Sequence, residues 1–360
     1  MALMLLGLAV LPQASAQAAP PEADIAKPSA GPLDAGNGFI FAQKPKKTRQ
    51  SLSGIACPGL SAAPHLCLAV FDEGVEARYL TIEANAIKPD QEAVSLIPGS
   101  GELDAEAAAT DGQFYYVAGS HAAKRKNCAT NPASRHLIRM PINPATGRAK
   151  RDGEGKLVTT SDNGALWTLM AGLPGLKDHV GDKMCLGTEP PEEAPVLKGK
   201  RGVNIEGLAV RDKRLFIGFR GPAQDSTTKI LSVAVDALFE GKAPEAKLDT
   251  LLVGEGRAVR DLLAVSDGIL ILAGPDDDSK NEGKDFVVLR WDGKDNGGAV
   301  IEPMPLAKLD LSTVKRRGCD DEIKPEGLAV LEDKPGAPYQ GLIFSDGMCD
   351  GGPLRFGIRR

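Results

Sequence analysis

Pairs of short apolar runs, separated by polar turns, recur along the chain. Each first run has the form x-[E/D/S]-x-x-A, and a second apolar run follows it, as in "NIEGLAVRDKRLFIGFRGP" (204–222). A single hairpin of this length cannot bury its own apolar face, so the repetition predicts units that pack on one another. The polar anchors of these repeats, at intervals of 53, 100, 55 and 65 residues, are Ser53, Glu106, Glu206, Asp261 and Glu326.

Further strand-like segments follow each hairpin, among them "RHLIRMPI" (135–142) and "KILSVAV" (229–235). Four short strands in about 50 residues are typical of a propeller blade. We therefore predict an all-β chain folded as a β-propeller of five blades, or of six if the long interval hides another. The last unit ends at Arg360 after its third strand, and "GFIFAQK" (38–44) is predicted to supply the fourth strand and close the ring.

The long interval also contains a short helical pattern. Leu166, Leu169, Met170 and Leu173 recur at helical spacing after Asp162, which is the predicted N-cap. We expect a short helical insertion near 162–187. It either packs on one face of the ring as a loop or forms a lid above the channel mouth.

The start of the chain resembles an export signal. "MALMLLGLAVLP" is apolar but too short to span a bilayer, and small residues follow it. An Ala- and Pro-rich stretch without periodicity comes next. We predict a signal peptide at 1–19, a disordered mature N-terminus at 20–37 and a single propeller domain at 38–360, in a periplasmic or secreted protein.

An even number of cysteines in an exported chain favours disulfide bonds. Several connectivities are open to the six cysteines, and we favour local pairing. No Cys/His cluster has the spacing of a structural zinc site. The favoured pairs are Cys57–Cys67, Cys128–Cys185 and Cys319–Cys349.

Some of the repeats resemble a known family. "NIEGLAV" with "FIGFRGP", preceded by "DAEAAATDGQFYYVAGSH" and followed by "RDLLAV" and "ILAGP", resembles the bacterial proteins grouped as domain of unknown function 3616. This resemblance covers roughly residues 50–350. The "EGLA" repeats are also similar, more widely, to those of esterase-like phytase propellers. Both resemblances imply a propeller, and neither implies a substrate.

The repeated carboxylates are the candidate metal ligands. Glu106, Glu206, Asp261 and Glu326 stand at matching repeat positions, which a propeller brings together near one mouth of its channel. Like charges gathered there raise one another's pKa unless something compensates them. One compensator is a Ca²⁺ or Mg²⁺ ion, since both prefer oxygen ligands.

Two other compensators are open. Arg220, Arg260 and Lys324 could form ion pairs with the carboxylates. Alternatively, each carboxylate could accept backbone N–H groups of the adjacent blade and so join the blades mechanically.

Polar residues also follow the second run of several repeats, as in "FDEG" with Asp72. Of these we take His121, Arg220 and Asp346 as candidate catalytic residues. Arg220 offers a planar fork for an anionic group, and His121 could act as a general base. The alternatives are an interblade ion pair for Arg220 and a hydrogen-bonded turn residue for His121.

Two functions of different class follow. The first is a metal-assisted hydrolase of phosphate or carboxylic esters at the channel mouth, with Ca²⁺ or Mg²⁺ and a small anionic substrate. The second is a non-catalytic propeller that binds a ligand or a protein of the cell envelope. A net charge of −5 without a basic stripe disfavours nucleic-acid binding, and no apolar run is long enough to span a membrane. We expect a monomer.

Overall fold

The described strands of this computed structural model form five separate sheets. The described residues are 23–59, 64–97, 102–222, 224–278 and 285–360. The predicted signal peptide at 1–19 lies outside them. Before the first sheet lie strand β1 (Asp24–Ala26) and the short helix α1 (Pro45–Arg49).

Each sheet is antiparallel among its consecutive strands and forms one blade. Blade one consists of β2 (Leu52–Ala56), β3 (His65–Phe71), β4 (Glu76–Ile82) and β5 (Ile87–Ser95). Blade two consists of β6 (Ala105–Thr110), β7 (Phe114–Gly119), β8 (Leu137–Pro141) and β9 (Thr160–Ser161). Blade three consists of β10 (Asn204–Arg211), β11 (Arg214–Gly221), β12 (Thr227–Ala234) and β13 (Lys247–Leu252). Blade four consists of β14 (Arg257–Val265), β15 (Gly268–Pro275), β16 (Val287–Trp291) and β17 (Met304–Leu309), and blade five of β18 (Lys324–Glu332), β19 (Tyr339–Asp346) and β20 (Leu354–Ile358).

The inner strands close a ring. β2 contacts β6, β6 contacts β10, β10 contacts β14, β14 contacts β18, and β18 returns to β2. Apolar side chains from both faces of each blade fill the spaces between blades, as Leu68 and Tyr115 do between blades one and two. The predicted five-bladed propeller is confirmed, because the long interval holds an insertion after blade two and no sixth sheet among the described residues.

The hairpins form because their turns match strand twist. In the β10–β11 hairpin, Arg211 pairs with Arg214. The two turn residues between them, Asp212 and Lys213, have φ of 50° and 59°. Two consecutive residues with positive φ are the mark of a tight hairpin turn.

The prediction that residues 38–44 form the fourth strand of blade five is wrong. The backbone N–H of Phe39 donates to Asp350 Oδ1 (2.8 Å), and that of Ile40 donates to Gln91 Oε1 (2.9 Å). Side chains therefore take the donors that a strand ladder would need. Phe39 and Phe41 instead pack against Phe71 of blade one.

The described part of the segment expected to be disordered, residues 23–37, lies along the ring. β1 pairs in parallel with β17, the outer strand of blade four. Ser29 and Leu33 donate backbone hydrogen bonds to Arg355 and Pro353, beside β20. This segment thus covers the outer edges of blades four and five.

The insertion after blade two contains the helix α2 (Ala165–Gly172) and a 3₁₀ turn (Lys177–His179), as predicted. The N-cap position is Gly164, not Asp162. Asp162 still accepts the N–H of Leu166 (2.9 Å), and it also accepts the N–H of Leu137 (3.1 Å), so it ties the helix to β8.

The remaining helical elements are short. They are α3 (Val235–Phe239) and 3₁₀ turns at Pro132–Ser134 and Cys349–Gly351. None of the described helices is long and apolar enough to cross a membrane.

All six cysteines form disulfide bonds, and the favoured pairing is confirmed. Cys57–Cys67 lies within blade one, and Cys319–Cys349 joins the approach to blade five with the turn after β19. Cys128–Cys185 joins the β7–β8 loop to the insertion. Three disulfides are typical of proteins from oxidising compartments.

Candidate functional site

A β-bulge interrupts the inner strand of every blade. In each strand the register skips one residue, as in β10, where Ile205 pairs with Phe219 and Gly207 with Gly218, leaving Glu206 unpaired. A bulged residue leaves the alternation of the strand, and its side chain is redirected. The five bulged residues are Ser53, Glu106, Glu206, Arg260 and Glu326.

In blade four the anchor predicted from the repeats is one residue away from the bulged residue. In β14, Val259 pairs with Ala273 and Asp261 with Leu272, so the bulged residue is Arg260 and not Asp261. Asp261 accepts the backbone N–H of Leu328 on blade five (2.7 Å) and that of Leu262 (2.8 Å). It therefore joins blades four and five, the third kind of compensation considered above, and lies outside the group of converging carboxylates.

Three of the predicted metal ligands do meet. One carboxylate oxygen from each of Glu106, Glu206 and Glu326 lies within 4.8 Å of the other two. Glu206 and Glu326 are almost fully buried, with side chains 4% and 5% exposed. Three blades thus contribute one carboxylate each to a single point at the channel mouth.

Arg260 lies between two of these glutamates. Its side chain is fully buried, and it forms an ion pair with Glu326 and a second one with Glu206 (3.5 Å). Ser53 Oγ donates to the other oxygen of Glu326 (3.3 Å). Burial, followed by the charge of Arg220, lowers the pKa of Arg260 to about 10.

Gly274 makes room for Arg260. Position 274 on β15 follows the partner of the bulge, and in the other blades this position carries a polar side chain. A Cβ on Gly274 would lie 3.2 Å from Arg260 Cγ and closer still to the Phe286 ring. The equivalent residues of the other blades, all following the second-strand partner of the bulge, are Asp72, Ser120, Arg220 and Asp346.

The guanidinium group of Arg220 is paired with carboxylates. It donates to Glu206 (3.0 Å) and forms an ion pair with Asp277 (3.3 Å), and its side chain is 15% exposed. Burial opposes its charge, but Glu206 and Asp277 outweigh burial and raise the pKa of Arg220. The alternative reading of Arg220 as an interblade ion-pair residue therefore describes what the structure shows.

Asp346 forms an ion pair with Lys324, and both line the mouth. Burial acts against the Lys324 charge, yet Asp346 raises the pKa of Lys324 overall. Asp104, on the approach to β6, accepts a hydrogen bond from Ser120. These contacts link first and second strands within blades two and five.

His121 does not line the mouth. It is buried, its Nδ1 lies 2.9 Å from the carbonyl oxygen of Gly119, and its ring stacks near Trp167. Burial lowers the pKa of the His121 imidazole to about 4. The hydrogen-bonded turn residue, the alternative considered for His121, matches this placement, and we give His121 no catalytic role.

The mouth is a cavity of about 490 Å³. Its floor carries the three glutamates, Asp72 and Asp104, and its side wall includes Lys124 and Arg125 of the β7–β8 loop and Leu186 of the insertion. Leu186 and the β7–β8 loop therefore border the mouth, whereas helix α2 packs against blades two and three, as the alternative of a packed loop expects.

Several carboxyl groups of the mouth have too little positive charge near them to compensate their own charge when ionised. Burial, then the charges of Glu206 and Asp104, raises the pKa of Glu106 well above its usual range. Burial, then Asp346 and Asp104, raises the pKa of Asp72 to about 8, and its Oδ1 has no hydrogen-bond partner. Burial also raises the pKa of Asp104. An added cation would favour the ionised forms.

The three glutamates fit a hard divalent cation by their chemistry, because Ca²⁺ and Mg²⁺ prefer oxygen ligands. Glu206 and Glu326 already hold guanidinium groups. Glu106 has no hydrogen-bond or ion-pair partner among the described residues, and it is the member of the group that a cation would compensate most.

Some residues of the mouth were not assigned a role from sequence. Asp277 is fully buried between Arg220 and Arg125, and burial opposes but does not overcome the lowering of its pKa by these two arginines. Asp72 follows the second apolar run of its repeat, so the repeat pattern could have identified it as a residue of the mouth. Arg260 could have been found by aligning the repeats on the bulge, whereas Lys124 and Arg125 come from a loop that the repeats do not contain.

The opposite end of the channel is apolar. A cavity of about 330 Å³ there is lined by the ends of the inner strands, including Leu208, Leu262 and Leu328. Asp111 is a charged residue at this end, and its carboxylate accepts hydrogen bonds from Tyr116 and from the N–H groups of Gln113 and Phe114.

Solved structures with a similar arrangement are distant in sequence. An endo-arabinanase from Bacillus licheniformis is 10% identical, with 91% of this chain and 96% of that chain covered, and a TM-score of 0.39. A calcium-binding protein, regucalcin, from Agrobacterium tumefaciens is 12% identical, with 94% and 97% covered, and a TM-score of 0.37.

No curated protein matches the chain. The family resemblance noted from the repeats is confirmed over its C-terminal half: a family model described as "Protein of unknown function (DUF3616)" matches residues 193–349.

Proposed function

We propose that this protein is an exported, cation-dependent hydrolase of small phosphate or carboxylic esters that acts at the charged mouth of the propeller. The observation that carries the proposal is the meeting of Glu106, Glu206 and Glu326, with carboxylate oxygens within 4.8 Å of one another. These glutamates lie on the floor of a cavity of about 490 Å³, which is a size typical of small-molecule sites.

Glu106, Glu206 and Glu326 would hold the Ca²⁺ or Mg²⁺ ion. Such a cation polarises a carbonyl or phosphoryl oxygen and stabilises negative charge that develops in hydrolysis. Glu106 is the ligand without a competing partner, while Arg220 and Arg260 fix the orientation of the other two carboxylates.

Asp346 is the proposed general base. Lys324 pairs with its carboxylate and holds it at the mouth. In the reaction, a water oxygen forms the new bond to carbon or phosphorus and Asp346 accepts the proton of that water. The ester C–O or P–O bond then breaks, and the leaving alkoxide takes up the proton held by Asp346. General-base assistance of this kind is worth roughly 10²–10⁴-fold in rate.

Export is part of the proposal. Three disulfide bonds link all six cysteines, which supports an oxidising compartment such as the periplasm or the extracellular space.

A non-catalytic binding propeller is the second candidate. It is favoured by Arg260, which already neutralises part of the charge of Glu206 and Glu326, and by Asp261, whose hydrogen bonds join two blades. On this alternative the buried charges stabilise the ring, and the cavity binds a ligand without turnover.

The test compares cation binding in matched variants. Thermal midpoints are measured after EDTA treatment and after separate addition of Ca²⁺, Mg²⁺ and Mn²⁺, for the wild type, Glu106→Gln and Glu332→Gln. Glu332 lies at the far end of β18 and pairs with exposed Lys334, so it serves as a control. A ligand at 100 times its Kd stabilises the fold by about 2.7 kcal/mol.

We expect one cation to raise the midpoint of the wild type and of E332Q, but not that of E106Q. Hydrolysis of p-nitrophenyl phosphate and p-nitrophenyl acetate is then assayed with that cation, and D346N should lose turnover. A flat response to all three cations would contradict the proposal and favour the binding alternative.

A further inference from the structure

The cationic side chains at the charged mouth differ in whether they have partners. Arg220 is held by Glu206 and Asp277, Arg125 by Asp277 (2.6 Å), and Lys324 by Asp346. Lys124 also lines the cavity, and among the described residues its ammonium group has no ion-pair or hydrogen-bond partner.

The loop that carries Lys124 is fixed at its backbone. The N–H of Lys124 donates to Ala129 O (2.9 Å), and the N–H of Cys128 donates to Lys124 O (2.8 Å). Cys128 is bonded to Cys185 of the insertion, and Glu193 N–H donates to Lys126 O (2.8 Å). The backbone of Lys124 is therefore held at a defined place in the cavity wall, and its side chain is exposed there.

The neighbouring ion pair limits the shape of a ligand. Arg125 reaches from the blade-two loop to the buried Asp277, which follows β15 within blade four, so the loop is anchored across the mouth. Leu186 of the insertion completes this part of the wall. A cavity of about 490 Å³ with this wall suits a small molecule rather than a polymer.

The charges around the cavity favour an anionic ligand group that binds away from the carboxylates of the floor. Carboxylates on the floor repel an anion, and the pairing of Arg220, Arg260 and Lys324 leaves them little net charge for one. A lysine ammonium is a compact charge that binds phosphate or carboxylate oxygens.

We infer that Lys124 is the anion-binding residue of this site, and that its ligands are small molecules whose phosphate or carboxylate group contacts Lys124 while the rest lies over the three glutamates. The inference rests on the proposed function, because it names the substrate class of the same site. It moves the anion-binding role from Arg220 to a residue outside the blades.

The experiment measures the binding of inorganic phosphate by isothermal titration calorimetry, with and without Mg²⁺, to the full disulfide-bonded protein. The variants are Lys124→Met, Lys124→Arg and Lys126→Met. Lys126 is exposed in the same loop, as Lys124 is, but does not line the cavity, so it controls for the general effect of a lost positive charge. Thermal midpoints of all variants check that the fold is unchanged.

We expect K124M to weaken phosphate binding by about tenfold or more, because a hydrogen bond to a charged group is lost. K124R should retain most of the affinity, and K126M should stay within about twofold of the wild type. Equal effects of K124M and K126M, or no phosphate binding by the wild type, would overturn the inference.

Mg²⁺ binding is titrated separately, so that a failure of the Lys124 inference can be distinguished from a failure of the proposed cation-dependent hydrolase. If Mg²⁺ binds and K124M leaves phosphate affinity unchanged, the inference about Lys124 fails while the cation site stands. If phosphate binding depends on Lys124 and none of the divalent cations binds, the anion site stands and the cation-dependent hydrolase fails.

Discussion

The two ends of one channel are built from the same five strands and differ in chemistry. At one end the strands carry bulges, and the bulged residues place three glutamates and Arg260 together. At the other end the inner strands pair regularly except for a second register shift in β18, between Val330 and Glu332, and leucines and alanines surround a smaller cavity of about 330 Å³. Regular pairing directs side chains into the spaces between blades, whereas a bulge frees one side chain per blade for the channel.

The difference shows where this fold can accommodate charged residues of a functional site. Charged residues in the interblade layers would need partners in an apolar core. At the bulges they meet charges from neighbouring blades and the wall of an open cavity. The charged mouth can therefore be changed with little effect on the apolar layers, and the following substitutions test this separation.

The largest effect is expected for Arg260→Met. The substitution leaves Glu206 and Glu326 buried without their shared cation, and breaking a buried ion pair in this way costs about 3–5 kcal/mol. Urea unfolding measures this loss of stability.

Leu262→Ala is the matched comparison for Arg260→Met, two residues away on β14. Leu262 is buried at the apolar end, and its truncation should cost about 2–5 kcal/mol. An Arg260→Met loss below about 1 kcal/mol would mean that water already solvates the glutamates.

The next effect is the pH dependence that Asp72 contributes. Burial and neighbouring carboxylates raise the pKa of Asp72 to about 8, above the usual value of 3.8. A raised pKa means that the stabilising contribution is present at low pH and is lost as the pH rises from about 4 through about 8. Asp72→Asn should therefore gain about 2 kcal/mol relative to the wild type between pH 5.5 and pH 9, after allowance for solvent at the cavity.

This pH effect is measured without divalent cations, from unfolding free energies at both pH values. Asp178→Asn serves as the control, because Asp178 is exposed on the insertion. If the wild type and D72N show parallel pH profiles, Asp72 ionises normally and the charge excess at the mouth is smaller than we describe.

The smallest effect is expected for Ala264→Val at the apolar end. Ala264 is half-buried on β14, and the added methyl groups should change stability by less than about 1 kcal/mol. The Mg²⁺-dependent midpoint shift and the phosphate affinity should remain those of the wild type. A changed Mg²⁺ response would show that the two ends of the channel are coupled.

The sequence repeats predict the fold well, because each blade is one contiguous stretch with its own hairpin. The anchors at Glu106, Glu206 and Glu326 were correctly placed for the same reason. Asp261 was not, since a one-residue shift in register moves a side chain to another environment, and the repeat pattern does not show where a bulge lies.

Other features depend on long-range contacts that no local pattern shows. The placement of residues 38–44 is set by Asp350 and Gln91, which are far away in the chain. The contact between Arg125 and Asp277 likewise joins residues of different blades. Sequence reasoning therefore locates the floor of the mouth better than its wall.

The pairing of β1 with β17 has a mechanical consequence. Among the described residues no strand from the N-terminal segment enters the ladder of blade five. The seam between blades five and one is instead held by side-chain and loop contacts such as Ser53–Glu326 and Arg49–Asp350. The N-terminal segment also crosses this seam, because Leu33 N–H donates to Pro353 O beside β20 while Asp34 O accepts the N–H of Ile87 on β5. It therefore acts as a clasp between the first and the last blade.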